Sequence, residues 1–113
     1  MRLLYVENHA VFAETVVERF LGEHDVMVCV SIAAARAAIE EAPPFDAVLV
    51  DYDLDDGKGD ALVEHLRRSG FRGRIIAVSS HDEGNAALVR AGADCICAKS
   101  AFASIGGLLH PDP

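Results

Sequence analysis

The sequence predicts an open α/β fold, in which helices cover both faces of a parallel sheet. Five short runs rich in Val and Ile alternate with segments of helical period, and the connections between them are short. These runs do not strictly alternate apolar and polar residues, as expected for strands that are buried on both sides. The predicted strands are residues 3–6, 26–30, 47–51, 74–79 and 94–98.

Four segments between these strands space their apolar residues as a helix does. The predicted helices are residues 9–22, 32–42, 60–69 and 81–91. Ser31 can cap the second helix, which Pro43 and Pro44 end, while a glycine ends each of the other three. Parallel strands joined through helices predict right-handed crossover connections.

The C-terminal segment departs from this pattern. Residues 101–109 contain two adjacent glycines, and two prolines follow before the sequence closes. Because glycine costs about 1 kcal/mol against alanine inside a helix, the last helix should be short or missing. Ile105, Leu108 and Leu109 would then be poorly covered, which predicts a homodimer.

Composition excludes several classes of function. The 113 residues are enough for one domain, 1–113, with a core of its own. A net charge of −8 opposes binding to nucleic acid, and the longest apolar run is too short to span a membrane. Cys29, Cys95 and Cys97 lack metal-ligand spacing and indicate buried thiols in a reducing cytoplasm.

Polar side chains recur at the carboxyl ends of four predicted strands, where parallel strands place ligand sites. They are Glu7 with Asn8, Asp51, Ser79 with Ser80, and Lys99. Oxygen ligands of this kind suit Mg²⁺, and the set as a whole suits phosphoryl transfer. Asp51 would attack phosphorus, Lys99 would hold the phosphoryl oxygens, and Ser79 would donate a hydrogen bond to one of them.

The chain resembles the receiver domains of two-component response regulators, with residues 1–100 well matched and 101–113 forming a truncated C-terminal segment. The resemblance rests on Val6-Glu7-Asn8, Asp51 with Gly57 and Gly59, Ser79-Ser80, and Gly92-Ala93-Asp94 before Lys99. It implies a flavodoxin-like (βα)5 fold, a three-layer sandwich whose parallel strands follow the order 2-1-3-4-5.

The resemblance also implies a function. Asp51 would accept a phosphoryl group from a histidine kinase or a histidine phosphotransfer protein, and the domain would signal by protein contact. Beyond phosphorylation and dephosphorylation of its own Asp51, it would not be an enzyme. Glu7, Asn8, Asp51 and the backbone carbonyl of Asp53 would bind Mg²⁺. Phe12 is either a residue of the core edge or a docking contact beside the site.

Two positions depart from the family pattern in ways that bear on function. Asn8 stands where the family carries an acid, so a neutral amide replaces a charged oxygen and should weaken Mg²⁺ binding. Ile96, three residues before Lys99, occupies the family's aromatic switch position. Without a ring there, the usual coupling between phosphorylation and the output surface should be weaker.

These departures leave an alternative of the same fold open. A pseudo-receiver would act as an interaction or dimerisation module without phosphorylation. Asn8, Ile96 and the short C-terminal segment favour it. Asp51, Ser79 and Lys99 favour a receiver that is phosphorylated, because an inactive site has little use for the complete set.

Two other interpretations of the acidic run after the third strand are disfavoured. The run is similar to the first motif of haloacid-dehalogenase-type phosphatases, but the second acidic pair is missing downstream of Lys99. It also partly matches a calcium-binding loop, in which Asp56 replaces the glycine and Leu62 replaces the final acid. Asp56 is instead expected in a solvated turn.

Overall fold

Five parallel strands form one sheet, and two short strands form a separate antiparallel hairpin, in the computed structural model, which describes residues 1–41 and 44–110. The strands are β1 (Arg2–Val6), β2 (Asp25–Cys29), β3 (Ala47–Val50), β4 (Asp53–Leu54), β5 (Gly57–Lys58), β6 (Arg74–Ala77) and β7 (Cys95–Ile96). The sheet order is β2-β1-β3-β6-β7, and β4 pairs with β5. Without the hairpin this is the order 2-1-3-4-5, which confirms the predicted fold.

Helices cover both faces of the sheet, as the three-layer prediction requires. They are α1 (Ala10–Phe20), α2 (Ile32–Glu41), α3 (Gly59–Arg68), α4 (Asp82–Ala91), a 3₁₀ helix (Lys99–Ser104) and α5 (Ile105–Leu109). One core cluster contains buried residues of α2, α3 and α4, and the other contains those of α1, the 3₁₀ helix and α5. In the described part of the chain, no helix is long and apolar enough to cross a membrane.

The central strand β1 explains why the strand sequences do not alternate. Leu3 and Tyr5 belong to one core cluster, Leu4 and Val6 belong to the other, and all four are fully buried. Successive side chains of a strand point to opposite faces, so a strand covered on both sides needs apolar residues at every position.

The predicted cap of α2 is confirmed. Ser31 Oγ accepts a hydrogen bond from the backbone N–H of Ala34 at 3.1 Å, which satisfies one of the free donors at the start of the helix. The predicted end of this helix at Ala42 and Pro43 lies outside the described residues, as do residues 111–113.

The segment after β7 covers the flank of the sheet with its own short helices. Helix α5 is five residues long, which confirms the predicted shortening of the last helix. Phe102 of the 3₁₀ helix is buried, and its ring centroid lies 6.1 Å from that of Tyr5 and 6.3 Å from those of Phe12 and Phe20. These aromatic contacts attach the segment to β1 and α1.

The apolar side chains of α5 lie inside the protein. Ile105 and Leu109 are buried and Leu108 is half-buried, so the prediction that this side is poorly covered is wrong. The contacts of Phe102 bring even a short helix onto the sheet, and Arg74 Nε donates to the Leu108 carbonyl at 3.0 Å. The expected homodimer was based on exposure of these residues, and it stays a prediction without that support.

Arg67 of α3 connects elements at the edge of the sheet opposite the carboxyl ends of the strands. Its guanidinium donates to the carbonyls of Gly92, Phe71 and Gly73 at 2.9–3.0 Å and pairs with Asp94 at 2.9 Å. One planar side chain thereby satisfies three carbonyls in the loops that enter β6 and β7.

We expect Arg67→Ala to lower the free energy of unfolding by about 2–3 kcal/mol, because three carbonyls lose a donor and the Asp94 carboxylate loses its ion pair. Arg68→Ala is the matched control, since that side chain is 78% exposed and only approaches Glu64, at 4.0 Å. The control should change stability by about 0.5 kcal/mol or less. Urea unfolding followed by circular dichroism measures both, and equal losses would contradict the role of Arg67.

Candidate functional site

Three charged side chains meet at the carboxyl edge of the sheet. The Lys99 ammonium lies 2.7 Å from Glu7 Oε1 and 3.0 Å from Asp51 Oδ2. Glu7 is fully buried, Asp51 is 4% exposed, and the Lys99 side chain is 18% exposed. One ammonium therefore lies between two buried carboxylates, and the three groups together carry a net negative charge.

The ends of neighbouring strands place these groups. Glu7 follows β1 and Asp51 follows β3, and the Asp51 N–H continues the ladder by donating to the Val6 carbonyl at 3.0 Å. Lys99 begins the 3₁₀ helix after β7, two strands away from β3, so its long side chain spans the distance. Its ammonium also lies 5.1 Å from the ring centroid of Phe12, a cation–π contact.

Burial and the neighbouring charges have opposing effects on the pKa values of Glu7 and Lys99. Burial raises the pKa of Glu7, the neighbouring Asp51 charge adds to this, and the contact with Lys99 offsets only part of it. Burial alone would lower the pKa of Lys99, but its contacts with Glu7 and Asp51 raise it overall. The two acids thus hold the ammonium in its charged form.

Ser79 lies at the end of β6 in the same region. Its side chain is 2% exposed, and its Oγ accepts a hydrogen bond from the His81 N–H at 3.2 Å. A cleft of about 300 Å³ lies between Ser79, Asn85, Lys99 and Ser100. The cleft thus brings the hydroxyl-bearing residue and the ammonium-bearing residue to one concave surface.

The side chains of Asp53 and Asn8 differ in where they point. The Asp53 carboxylate pairs with Lys58 on the exposed hairpin, which lowers the pKa of Asp53. Its backbone oxygen lies 3.2 Å from the Asn8 amide nitrogen when that amide is oriented to satisfy its neighbours, and the same nitrogen donates to Glu7 Oε2 at 3.1 Å. The amide therefore links two oxygen atoms of the predicted metal site.

The donor set fits a hard cation in chemical type. Carboxylate oxygens of Glu7 and Asp51 and the carbonyl of Asp53 are ligands that Mg²⁺ accepts. Within residues 1–41 and 44–110, no group of three His, Cys, Asp or Glu side chains could hold a metal. A cation there would also draw on the Asn8 amide oxygen, which faces Glu7 Oε2 and the Asp53 carbonyl in one of the two orientations of the amide.

Close packing explains why position 59, after Asp51, is a glycine. A Cβ atom at this position would lie 2.0 Å from the Asp51 carbonyl oxygen, which no side chain tolerates. Gly59 also donates its N–H to the Tyr52 carbonyl at 2.7 Å. Glycine thus lets the start of α3 approach the backbone of the acidic residue.

Asp56 has a role that the sequence interpretation missed. Its two carboxylate oxygens accept hydrogen bonds from the backbone N–H groups of Ile32 and Ala33, at 2.8 and 3.0 Å. Asp56 lies in an exposed turn, as predicted, and these bonds are an additional role. These bonds cap α2 from another element and lower the pKa of Asp56. They also attach the β4–β5 hairpin, which carries the Asp53 carbonyl.

Two further predicted positions are not members of the charged cluster itself. Ile96 is 46% exposed, and the consequence of its missing ring stays a prediction. Phe12 is half-buried and contacts both Phe102 and Lys99, so it belongs to the core edge, and its docking role also stays a prediction.

Comparisons with known proteins agree with this geometry. The sequence profile of the response regulator receiver domain matches residues 3–104. The receiver domain of the Francisella response regulator 1452 is 21% identical with a TM-score of 0.79, covering 96% of this chain and 89% of that one. A CheY-like receiver domain protein from Methanospirillum hungatei JF-1 is 22% identical, with a TM-score of 0.80 and coverage of 96% and 92%.

A third solved structure is the Mn²⁺-bound form of response regulator Rcp1. It is 16% identical with a TM-score of 0.82, covering 99% of this chain and 96% of that one. No curated protein matches the sequence. At these identities the structural likeness shows the fold.

The parallel sheet order and the acidic and basic residues at its carboxyl edge define a signal-receiver domain. Because the family profile matches nearly all of the sequence, the chain belongs to the receiver domain family of two-component response regulators.

We expect Lys99→Met to lower the free energy of unfolding by about 2–3 kcal/mol at about pH 7, because two buried carboxylates lose their only shared cation in the cluster. The loss should shrink towards about pH 5, since the folded variant takes up a proton on Glu7, whose pKa burial already raises. Adding Glu7→Gln should restore most of the stability. Unfolding curves across this pH range test the expectation, and an unchanged loss in the double variant would contradict it.

We expect Asp56→Ala to lower the melting temperature at neutral pH, because two N–H groups of α2 lose their acceptor. The folded-state pKa of Asp56 is lowered, so its contribution is present above the unfolded pKa of about 3.9 and is lost as the pH falls through the folded value. The difference from wild type should therefore disappear in acid. Asp55→Ala, the exposed neighbour, is the control, and calorimetry from neutral to acid pH distinguishes the two.

Proposed function

We propose that this receiver domain accepts a phosphoryl group on Asp51 from the phosphohistidine of a histidine kinase or a histidine phosphotransfer protein. The observation that carries the proposal is the contact of Lys99 with Asp51, 3.0 Å apart and largely buried beside the Ser79 cleft. The phosphorylated domain would then signal by protein contact in the cytoplasm. Its net charge of −8 argues against nucleic acid as the partner.

The residues of this chain divide the reaction between them. An Asp51 carboxylate oxygen attacks phosphorus, the new O–P bond forms, and the N–P bond of the phosphohistidine breaks with its electron pair returning to the imidazole. The Lys99 ammonium, already 3.0 Å from Asp51, stabilises the negative charge that the phosphoryl oxygens bring to the site. The Ser79 hydroxyl donates a hydrogen bond to one of those oxygens.

Receiver domains typically bind Mg²⁺, which neutralises phosphoryl oxygens when it is bound. Here Glu7, Asn8, Asp51 and the Asp53 backbone carbonyl would hold it. The amide at position 8 brings no charge, and with its nitrogen turned towards the cluster it donates to two of these groups. Metal binding should therefore be weaker than with an acid at this position.

The pseudo-receiver remains a second candidate function. The neutral Asn8 favours it, because an amide turned to donate to Glu7 and to the Asp53 carbonyl hydrogen-bonds oxygens that a metal would otherwise use. The exposed Ile96 favours it as well. Such a module would bind partners through its surface without a phosphoryl group, and a homodimer belongs to this candidate.

Incubation with Mg²⁺ and acetyl phosphate, followed by intact mass spectrometry, distinguishes the two functions. We expect a single phosphoryl adduct on the wild type and none on Asp51→Ala, because the acceptor oxygen is gone. Asp53→Ala is the control, since it keeps the backbone carbonyl and removes an exposed carboxylate, and it should still form the adduct. A wild type that stays unmodified at high donor and Mg²⁺ concentrations would support the pseudo-receiver.

A further inference from the structure

We propose that Asn85 is a positioning residue for Ser79, a role that rests on the proposed phosphoryl transfer. The Asn85 side chain is 5% exposed and lies in the first turns of α4. Its Oδ1 accepts from the Ser79 N–H at 2.9 Å, and its Nδ2 donates to the Ser79 carbonyl at 3.0 Å. One amide thereby satisfies both backbone polar groups of one residue.

These two hydrogen bonds replace the backbone partners that a neighbouring strand would give to Ser79. The Val78 N–H still donates to the Val50 carbonyl at 3.0 Å, as the sheet ladder ends. Ser79 then leaves the sheet while it is buried, so its N–H and carbonyl need partners from elsewhere. A side-chain amide is suited to this because it offers a donor and an acceptor at the spacing of a peptide group.

The same helix also limits the Ser79 side chain. A Cβ atom at Gly84 would lie 2.8 Å from Ser79 Oγ and 2.9 Å from Tyr52 Cβ, so α4 packs directly against the hydroxyl. On another side, the His81 N–H donates to that oxygen at 3.2 Å. In this contact the hydroxyl only accepts, so its own proton stays available for an acceptor in the cleft that Ser79 shares with Lys99.

Together these contacts determine where the hydroxyl stands before any phosphoryl group arrives. A donor that is already oriented costs little to reorganise during the reaction, which is the source of its effect on rate. Without Asn85, the buried backbone of Ser79 would turn towards water, and the hydroxyl would leave the cleft edge. The effect of Asn85 on the reaction should therefore pass through Ser79.

A double-mutant cycle tests this dependence. We expect Asn85→Ala to slow adduct formation with acetyl phosphate and Mg²⁺ by roughly tenfold, within the loss caused by Ser79→Ala. The double variant should be no slower than Ser79→Ala alone, because the group that Asn85 positions is then absent. Glu83→Ala, an exposed change in the same turn, should leave the rate unchanged. An Asn85→Ala effect that persists in full in the Ser79→Ala background would overturn the proposal.

Amide hydrogen exchange provides a readout that needs no phosphorylation. The Ser79 N–H should exchange slowly in the wild type and in Glu83→Ala, and much faster in Asn85→Ala. If the Ser79 N–H exchanges at the same rate in Asn85→Ala as in a wild type that forms the adduct, the proposed role of Asn85 is overturned. The proposed phosphoryl transfer is not affected by that result. A wild type that forms no adduct would overturn the proposed function, and with it the effect of Asn85 on a reaction.

Discussion

The pairing of Lys99 with Glu7 and Asp51 is the interaction on which the rest of the site depends. Two acids buried at neighbouring strand ends would repel one another and draw water into the core edge. The ammonium 2.7 Å from one and 3.0 Å from the other makes their burial tolerable. Because Lys99 starts the 3₁₀ helix that places Phe102 in the core, the same side chain links the charged edge to the closing of the fold.

The neutral amide of Asn8 reduces the negative charge of the acidic cluster relative to an acid at the same position. An acid at this position would add a third negative charge beside Glu7 and Asp51, and only a bound cation could then balance the cluster. The amide carries no charge, and with its nitrogen turned towards the cluster it donates to Glu7 Oε2 and to the Asp53 carbonyl. For the metal site of the proposed function, this predicts weaker cation binding than with an acid at position 8, because the amide brings no charge to the cluster.

The fold and the charged triad were accessible from sequence because they depend on local patterns. Strand and helix periods reveal the alternation, and parallel strands bring Asp51 and Lys99 to one edge whatever their separation in the chain. The roles of Asp56 and Asn85 were not accessible in this way, since each depends on one side chain meeting the backbone of another element. The burial of Ile105 was not predictable for a related reason. The glycine content limits the length of α5, but the contacts of Phe102 decide where α5 lies.

The contacts around Ser79 also bear on how the site communicates with the surface. Ile96 has no ring to carry a movement, and it already lies 46% exposed. Asn85 joins the Ser79 backbone to α4 by two hydrogen bonds, and Gly84 brings the same helix against the hydroxyl. Any displacement of Ser79 must therefore break those bonds or move the start of α4. In the proposed function, a phosphoryl group on Asp51 that displaced Ser79 would therefore act on the start of α4.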